Sequence, residues 1–118
     1  MDFRITILLA VLCSSCAAAT PKYEHINEVK YAVSYCLSKS YQGSNFSSDA
    51  AHVSGAYLQK GSYGLDMYES VRDFVDLYSQ KKYMSKHERN LDIMQCIDLS
   101  ASSELMSLIK KMANKASQ

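Results

Sequence analysis

The amino-acid sequence predicts an all-α fold: a compact bundle of about five helices with one disulfide. Two patterns indicate the helices. Apolar residues recur every three or four positions in successive segments, which is the spacing of one face of an α-helix, and no segment alternates apolar and polar residues as a half-buried strand does. Two cysteines, Cys36 and Cys96, fall within these helical segments and indicate the disulfide.

The first residues have the composition of an export signal. Arg4 precedes an apolar run at 5–12, and the small residues at 17–19 suit cleavage by signal peptidase. The run is shorter than the about 20 residues that a permanent membrane-spanning helix needs. We therefore expect residues 1–19 to be a cleaved signal peptide, residues 20–118 to form a single helical domain, and the mature protein to lie in the periplasm.

Two other interpretations of this segment stay open. It could form a buried N-terminal helix, or Cys16 could be lipidated, since Ser14 and Ser15 precede it. Cys13, however, occupies the position where a lipidation motif has leucine. We expect no contact with a membrane unless Cys16 is lipidated.

Cleavage of the leader would leave two of the four cysteines, Cys36 and Cys96. An even number of cysteines in an oxidising compartment favours a disulfide. Closing a loop of this length should stabilise the fold by about 4 kcal/mol. Two buried free thiols remain an alternative. A metal site is disfavoured because neither cysteine has another cysteine or a histidine at ligand spacing, and we expect no cofactor.

The first two predicted helices lie in the N-terminal half of the mature chain. The first runs from about Tyr23 to Tyr41, with Tyr31 and Tyr35 on its exposed side. A short second helix is predicted to begin at Ser47 or Ser48, either of which can cap it. Exposed tyrosines are favoured at protein interfaces, so this side of the first helix is a possible contact surface.

The third predicted helix, from about Leu65 to Lys82, has two contrasting faces. Its apolar face consists of Met67, Tyr68, Val71, Phe74, Val75 and Tyr78. The opposite face carries the carboxylates Asp66, Glu69, Asp73 and Asp76, with Arg72 beside them. Like charges one turn apart disfavour an isolated helix by a few tenths of a kcal/mol. The face therefore suggests a binding surface, with an ordinary solvated face as the alternative.

The last two predicted helices follow a polar connection. Ser85 and Glu88 have capping-box spacing, so the fourth helix is predicted to begin near Lys86. Its predicted buried side consists of Ile93, Met94, Cys96 and Ile97. Ser102 can cap the fifth helix, whose core stripe is Leu105, Leu108, Ile109 and Met112.

The sequence presents no constellation of catalytic residues. His25, His52 and His87 are scattered and belong to no nucleophile or metal motif, and a disulfide would consume both cysteines. We therefore predict that the protein is not an enzyme. The net charge of +1 argues against a nucleic-acid partner, which would require a basic surplus. The residues alone indicate a small exported helical binding module.

Four blocks of the mature sequence carry a resemblance to a known family. They are AVSYCL at 32–37 followed by Tyr41, DAA at 49–51 with GAYL at 55–58, YMSK at 83–86, and LDIMQCIDL at 91–99 with 102–105 behind it. In order and spacing they resemble the periplasmic immunity proteins that neutralise cell-wall amidase toxins of the bacterial type VI secretion system, the fourth such amidase-immunity family.

The resemblance implies a homodimeric inhibitor that occludes the catalytic cleft of a Cys-His peptidoglycan amidase and so protects the producing cell and its kin. It further implies that the helix at 65–82 docks on the amidase and that a loop of the other subunit, at 82–89, enters the cleft. The predicted partner-binding residues are Asp66, Glu69, Arg72, Asp73, Asp76, Tyr83, Lys86 and His87.

Functions of other classes remain as alternatives. Small periplasmic acid-stress chaperones are also helical and carry one disulfide, and the carboxylates of the third helix could then serve as a pH trigger. Such a chaperone should loosen and dissociate at about pH 2 to 3 in an active form. A small secreted hydrolase would need a nucleophile and a base that the sequence does not present.

Overall fold

The computed structural model describes residues 24–118, so the predicted signal peptide and Cys16 lie outside the described residues. Five helices occur in this part of the chain: α1 (Ile26–Lys39), α2 (Asn45–Lys60), α3 (Leu65–Ser79), α4 (Asp92–Leu99) and α5 (Ser103–Ala116). Residues 24–118 contain no strand beyond an isolated antiparallel bridge between Met84 and Asn90. The all-α prediction is confirmed.

Helix α1 is the central element, because it contacts each of the other four helices. The prediction that Tyr31 and Tyr35 are exposed is wrong. Tyr31 is buried and its ring meets that of Tyr68 edge-on, with centroids 5.1 Å apart, while Tyr35 is half-buried. With neighbours from four helices, α1 buries residues outside the single stripe that its periodicity indicated.

The predicted disulfide is confirmed. Cys36 of α1 and Cys96 of α4 are bonded across a Cα–Cα distance of 5.5 Å, and both are buried. The apolar core around this link comes from α1, α3, α4 and α5. Besides Cys96, its largest fully buried side chains are Val71, Val75, Leu99, Leu105 and Ile109.

Helix α2 begins earlier than predicted. Its N-cap is Ser44, whose hydroxyl oxygen accepts a hydrogen bond from the backbone N–H of Ser47 at 3.2 Å. The hydroxyl of Ser47 instead donates to the carbonyl of Ser38, which fastens the start of α2 to the end of α1. Ser47 therefore makes a tertiary contact, and neither it nor Ser48 is the cap.

Helix α3 has the inner face that its sequence predicted. Met67, Tyr68, Val71 and Val75 are buried, and Phe74 and Tyr78 are half-buried, although the helix ends at Ser79 and not at Lys82. Tyr68 passes close to the backbone of the α2–α3 turn. A Cβ atom on Gly61 would lie 1.4 Å from the Tyr68 hydroxyl oxygen, so this position requires glycine.

Helix α4 departs most from the prediction. It begins at Asp92, because Ser85 and Glu88 lie in a turn of the preceding connection, where Glu88 has a left-handed φ of 60°. The side predicted to be buried is also wrong in part: Cys96 is buried, but Ile93, Met94 and Ile97 are exposed. The disulfide turns Cys96 inward together with Gln95 and Leu99, and the other apolar residues then point outward.

Helix α5 agrees with the prediction. Ser102 is its N-cap, and its hydroxyl oxygen accepts a hydrogen bond from the Leu105 N–H at 3.2 Å. Leu105 and Ile109 are buried on the predicted stripe. Across residues 24–118, the helices are too short or too polar for any of them to span a bilayer.

Candidate partner-binding surface

The outer side of α3 displays a row of carboxylates. Asp66, Glu69 and Asp73 are all exposed. Because the inner side of the same helix is anchored in the core through Met67 and Val71, the row is carried on a fixed backbone. We call these three residues the acidic face.

Asp76, the fourth predicted carboxylate, is engaged within the chain. Its Oδ1 atom accepts a hydrogen bond from the Tyr35 hydroxyl at 3.0 Å and forms an ion pair with the Lys39 ammonium. Partial burial tends to raise the pKa of Asp76, but the hydrogen bonds from Lys39 and Tyr35 outweigh it and hold this pKa below its ordinary value. Asp76 thus fastens α3 to α1.

Arg72 lies beside this contact. Its side chain is exposed, and its guanidinium carbon is 6.0 Å from the centroid of the Tyr35 ring, against which Lys39 also lies. Burial, followed by the hydrogen bond to Asp76, raises the pKa of Tyr35, so its hydroxyl stays protonated and keeps donating. Of the predicted partner-binding residues on α3, Arg72 and Asp76 therefore have structural contacts of their own.

The predicted intruding loop forms a small hairpin at 83–91. The backbone N–H of Leu91 donates to the Tyr83 carbonyl at 3.0 Å, and that of Ser85 donates to the Arg89 carbonyl at 2.9 Å. The hydroxyl oxygen of Ser85 accepts hydrogen bonds from the N–H groups of His87 and Arg89, at 3.3 and 3.1 Å. The serine that resembled a helix cap thus organises the turn, with Lys86 and His87 exposed at its tip.

The base of the hairpin is anchored in the body of the protein. The hydroxyls of Tyr83 and Tyr78 lie 3.2 Å apart, and the Tyr78 hydroxyl donates to the Gln95 carbonyl at 3.2 Å. The buried Gln95 amide donates to the Tyr78 carbonyl at 2.9 Å and also to the Lys81 carbonyl. Burial, with the Tyr83 hydrogen bond, raises the pKa of Tyr78 well above its ordinary value, so the Tyr78 hydroxyl stays protonated near neutral pH. The contacts fix the hairpin relative to α3 and α4.

The sequence analysis missed an apolar component of this surface. A groove of about 510 Å³ lies between α3, the hairpin and the start of α5, lined among others by Phe74, Leu77 and Tyr83. Leu77, which directly follows Asp76 on α3, is 67% exposed, and Met84 of the hairpin is 53% exposed. The signal in the sequence was Leu77 itself, an apolar residue outside the predicted stripe.

The described residues offer no candidate metal centre, since no three His, Cys, Asp or Glu side chains in 24–118 cluster suitably. Nor does any hydrogen bond or ion pair within that range join Lys86 or His87 to the acidic face. The acidic face and the hairpin tip are two separate features of the surface. The arrangement suits binding of another protein.

Comparison with known proteins identifies the family. A family model described as type VI secretion system (T6SS), amidase immunity protein, and named Tai4, matches residues 27–109. The chain belongs to the Tai4 family. The match extends from the start of α1 into α5 and includes both α3 and the hairpin.

A solved structure supports the Tai4 assignment. The chain is similar to a chain in the structure of the effector–immunity system Tae4/Tai4 from Salmonella typhimurium, in its selenomethionine variant, with a TM-score of 0.66 and 30% sequence identity. The similarity covers 75% of this chain and 88% of that one. None of the curated proteins compared with this chain matches it.

The Tai4 assignment confirms the resemblance found in the sequence. This chain is an amidase immunity protein of the type VI secretion system. It is not an enzyme, because Tai4 proteins are inhibitors in the Tae4/Tai4 system. The assignment also favours immunity over the acid-stress chaperone and the secreted hydrolase.

Proposed function

We propose that this protein binds a cognate type VI secretion amidase in the periplasm and occludes its catalytic cleft. The amidase would be a Cys-His peptidoglycan hydrolase, and the inhibitor would act as a homodimer that protects the producing cell and its kin. Membership of the Tai4 family supports an amidase as the partner. The observation that carries the docking mode is the acidic face, held on an anchored helix.

Electrostatics favour a basic partner surface opposite the acidic face. Within residues 24–118, Asp66, Glu69 and Asp73 make no side-chain hydrogen bond or ion pair, in contrast to Asp76. Mutual repulsion along the helix is relieved when cations are placed opposite them. Complementary charge of this kind accelerates association and sets the orientation of docking.

Leu77 gives the same surface an apolar contact. It is exposed within one turn of Asp73 and borders the groove beside the hairpin. Apolar side chains that become fully desolvated at the centre of an interface contribute most of its binding energy, and charged residues at the rim contribute orientation. Leu77 would be such a contact, with the acidic face as the rim.

The hairpin would do the occluding. Its tip carries Lys86 and His87, and its base is fixed by Tyr83 and Gln95, so insertion would cost little conformational entropy. In the proposed complex the hairpin of one subunit enters the cleft while α3 of the other docks beside it. Blocking access to the amidase cysteine is sufficient for inhibition, and the inhibitor needs no chemistry of its own.

The periplasmic location is proposed on two grounds. The segment at 1–19 has the composition of a cleaved signal peptide. The Cys36–Cys96 disulfide suits an oxidising compartment. Edman sequencing of protein recovered from the periplasm should begin near Thr20, and recovery of the intact leader, or of a lipid on Cys16, would contradict cleavage after Ala19.

The docking mode is tested by reversing one charge of the acidic face. Asp73→Lys should raise the Kd for the cognate amidase by about 10- to 100-fold, mostly through slower association, because two units of charge change opposite a basic surface. Binding is measured by stopped flow and calorimetry at low and high salt. Asp49→Lys is the matched control, since Asp49 is also an exposed helical carboxylate but lies on α2. Equal affinity of both variants would remove the acidic face from the mechanism.

Occlusion is tested separately from binding. The bound protein should protect the amidase cysteine from iodoacetamide and abolish peptidoglycan cleavage. The double variant Lys86→Ala with His87→Ala should still bind through α3 but should restore alkylation and part of the cleavage. Full protection by that variant would assign occlusion to another segment.

A further inference from the structure

Gln95 joins the two elements between which the hairpin lies. The hairpin at 83–91 follows the end of α3 and leads directly into α4. The buried Gln95 amide donates to the carbonyls of Tyr78 and Lys81, where α3 has ended and no further helical turn supplies N–H donors. In return, the Tyr78 hydroxyl donates to the Gln95 carbonyl at 3.2 Å. The end of α3 and the start of α4 are therefore fixed to each other through Gln95.

The position of Gln95 depends on how α4 is turned about its own axis. Gln95 and Cys96 are 3% and 2% exposed, whereas Ile93 and Ile97 are 41% and 59% exposed. Because α4 is apolar on both sides, its pattern does not dictate which side faces the core. A rotation of about a quarter of a turn would bring Ile93 toward the core and carry Gln95 away from the end of α3. The bond from Cys96 to Cys36 of α1 prevents that rotation.

We propose that Gln95 is the positioning residue of the hairpin, that the Cys36–Cys96 disulfide holds it in place, and that the chain occludes the amidase only when this bond has formed. This condition rests on the proposed function and adds a redox requirement to it. A reduced chain still presents the acidic face, because the inner side of α3 is anchored in the core independently. It would dock on the amidase without blocking the cleft.

Closure of the disulfide is a two-electron oxidation. The thiols of Cys36 and Cys96 give up two electrons and two protons, and their sulfur atoms bond to each other. The disulfide of an oxidising thiol–disulfide exchange protein takes up those electrons and protons and becomes a dithiol. A precursor in the reducing cytoplasm is thus incomplete as an inhibitor, and oxidation after export completes it.

The disulfide is shielded once it has formed. Cys36 and Cys96 are both buried, and the cavity that borders them has a volume of about 40 Å³. A cavity of this size has room for water but not for a thiol reductant. Oxidation therefore acts as a single completing step and is not readily reversed by thiols in the folded protein.

Two variants of the mature chain test the proposal from opposite ends. Gln95→Met keeps the disulfide and the length of the side chain but removes the amide donor. The double variant Cys36→Ala with Cys96→Ala keeps Gln95 and removes the bond. Val29→Ala is the matched control, because it opens a cavity at a buried position of α1 about two turns before Cys36 and so destabilises the fold without touching Gln95.

The first measurement is hydrogen exchange of each free chain. Ser85 and Leu91 donate their backbone N–H groups across the hairpin. These two amides should exchange at least about 10-fold faster in Gln95→Met and in the double cysteine variant than in wild type, because the hairpin opens locally when its base is released. Their exchange should be unchanged in Val29→Ala.

The second measurement is made on complexes with saturated amidase. Iodoacetamide should alkylate the amidase cysteine at least about 10-fold faster with either test variant than with wild type, while the Kd rises by less than about 10-fold. Val29→Ala should protect the cysteine as wild type does. This split between occlusion and docking identifies a positioning residue, since a variant that is merely less stable raises the Kd and still protects the cysteine at saturation.

Unchanged hydrogen exchange in either test variant overturns the proposal. Should the double cysteine variant fail to fold, the amidase-bound wild type is treated with a phosphine reductant, because binding stabilises the folded form. Alkylation of the amidase cysteine must then accelerate as the thiols of Cys36 and Cys96 appear, and an unchanged rate overturns the proposal.

The amidase assay also separates this proposal from the proposed function. A wild type that protects the amidase cysteine, with test variants that protect it equally well, overturns only the redox requirement. A wild type that leaves the cysteine open to iodoacetamide overturns the proposed occlusion and the redox requirement together.

Discussion

Helices α3 and α4 both pack on α1, yet the sides that they expose to solvent differ in chemistry. The outer side of α3 carries Asp66, Glu69 and Asp73, whereas that of α4 carries Ile93, Met94 and Ile97. On α3 the apolar residues form one stripe, so local sequence dictates which side is buried. On α4 the apolar residues lie on all sides of the helix, so the disulfide to Cys36 determines which side is buried. An exposed charged side and an exposed apolar side then suit different partners.

The largest effect is expected from breaking the anchor of α4. The double variant Cys36→Ala with Cys96→Ala should lower the free energy of unfolding by about 4 kcal/mol, because the unfolded chain regains the freedom of a loop closed across a sequence separation of 60. Urea unfolding measures the change, and reduced wild type should match the variant. In hydrogen exchange, amides of α4 should lose protection before those of α3. A decrease in the free energy of unfolding of less than about 1 kcal/mol would show that packing alone holds α4 in place.

The packing of α3 against the α2–α3 turn is tested at Gly61. Gly61→Ala should destabilise the protein by about 3 kcal/mol, because the new methyl group collides with the buried Tyr68 side chain and displaces it. Tyr68 lies within hydrogen-bond reach of Glu28, its hydroxyl 3.4 Å from the carboxylate, and burial together with that carboxylate raises the pKa of Tyr68 to about 12.

The control for this prediction is Gly55→Ala, in open space within α2. It should leave stability unchanged or raise it by up to about 1 kcal/mol, because alanine is the better helix former. Thermal and urea unfolding of both variants measure the contrast. Equal stabilities would mean that Tyr68 can move aside freely.

A smaller effect distinguishes the two sides of α4. Gln95→Ala should cost about 2 kcal/mol, because the carbonyls of Tyr78 and Lys81 lose their buried donor. Met94→Ala, one residue away on the exposed side, should change the stability of the monomer by less than about 0.5 kcal/mol. Unfolding is measured at low protein concentration to avoid association. Similar losses for both would mean that Met94 is also covered in the monomer.

The smallest effect concerns the contact between α3 and α1 at Asp76. Its pKa is lowered in the folded state below the ordinary 3.8, so the contact stabilises the fold above that pH and is lost as the pH falls through the lower folded value. Asp76→Asn should therefore be less stable than wild type at pH 7, by under about 1 kcal/mol because the pair is partly exposed, and the difference should vanish near pH 2.

Urea unfolding at low ionic strength across this pH range measures the difference between Asp76→Asn and wild type. An unchanged gap at pH 2 would contradict the assignment of the shift to Asp76. Loosening of the whole wild-type fold at about pH 2 to 3, with dissociation into an active form, would revive the chaperone alternative.

The sequence predicts the parts of the fold that depend on local pattern. The inner stripe of α3 is read from its periodicity, and the disulfide from an even number of cysteines after the leader. Tyr31 was misplaced because its burial comes from several neighbouring helices, which one helix's periodicity does not record. Ser85 and Glu88 match a capping box, yet the left-handed backbone at Glu88 closes a hairpin turn.

The candidate partner-binding surface also has some features that the sequence predicts and others that it does not. The carboxylates of α3 and their spacing are visible in the sequence. The hydrogen bonds by which Gln95 fixes the base of the hairpin are not visible in the sequence. They join Gln95 through its buried side-chain amide to carbonyls 14 and 17 positions away. Nor does the sequence show that Asp76 pairs with Lys39, 37 positions away, and so differs from the other three carboxylates.

The position of α1 in the chain affects how the fold is completed. It is the first helix of the described residues, yet it contacts α5, the last. A nascent polypeptide that ends before residue 103 would leave an apolar helix only partly covered, with no local substitute for the missing neighbour. Assembly should therefore wait for the C-terminal residues and proceed as one concerted event, which leaves little room for a stable truncated form of the protein.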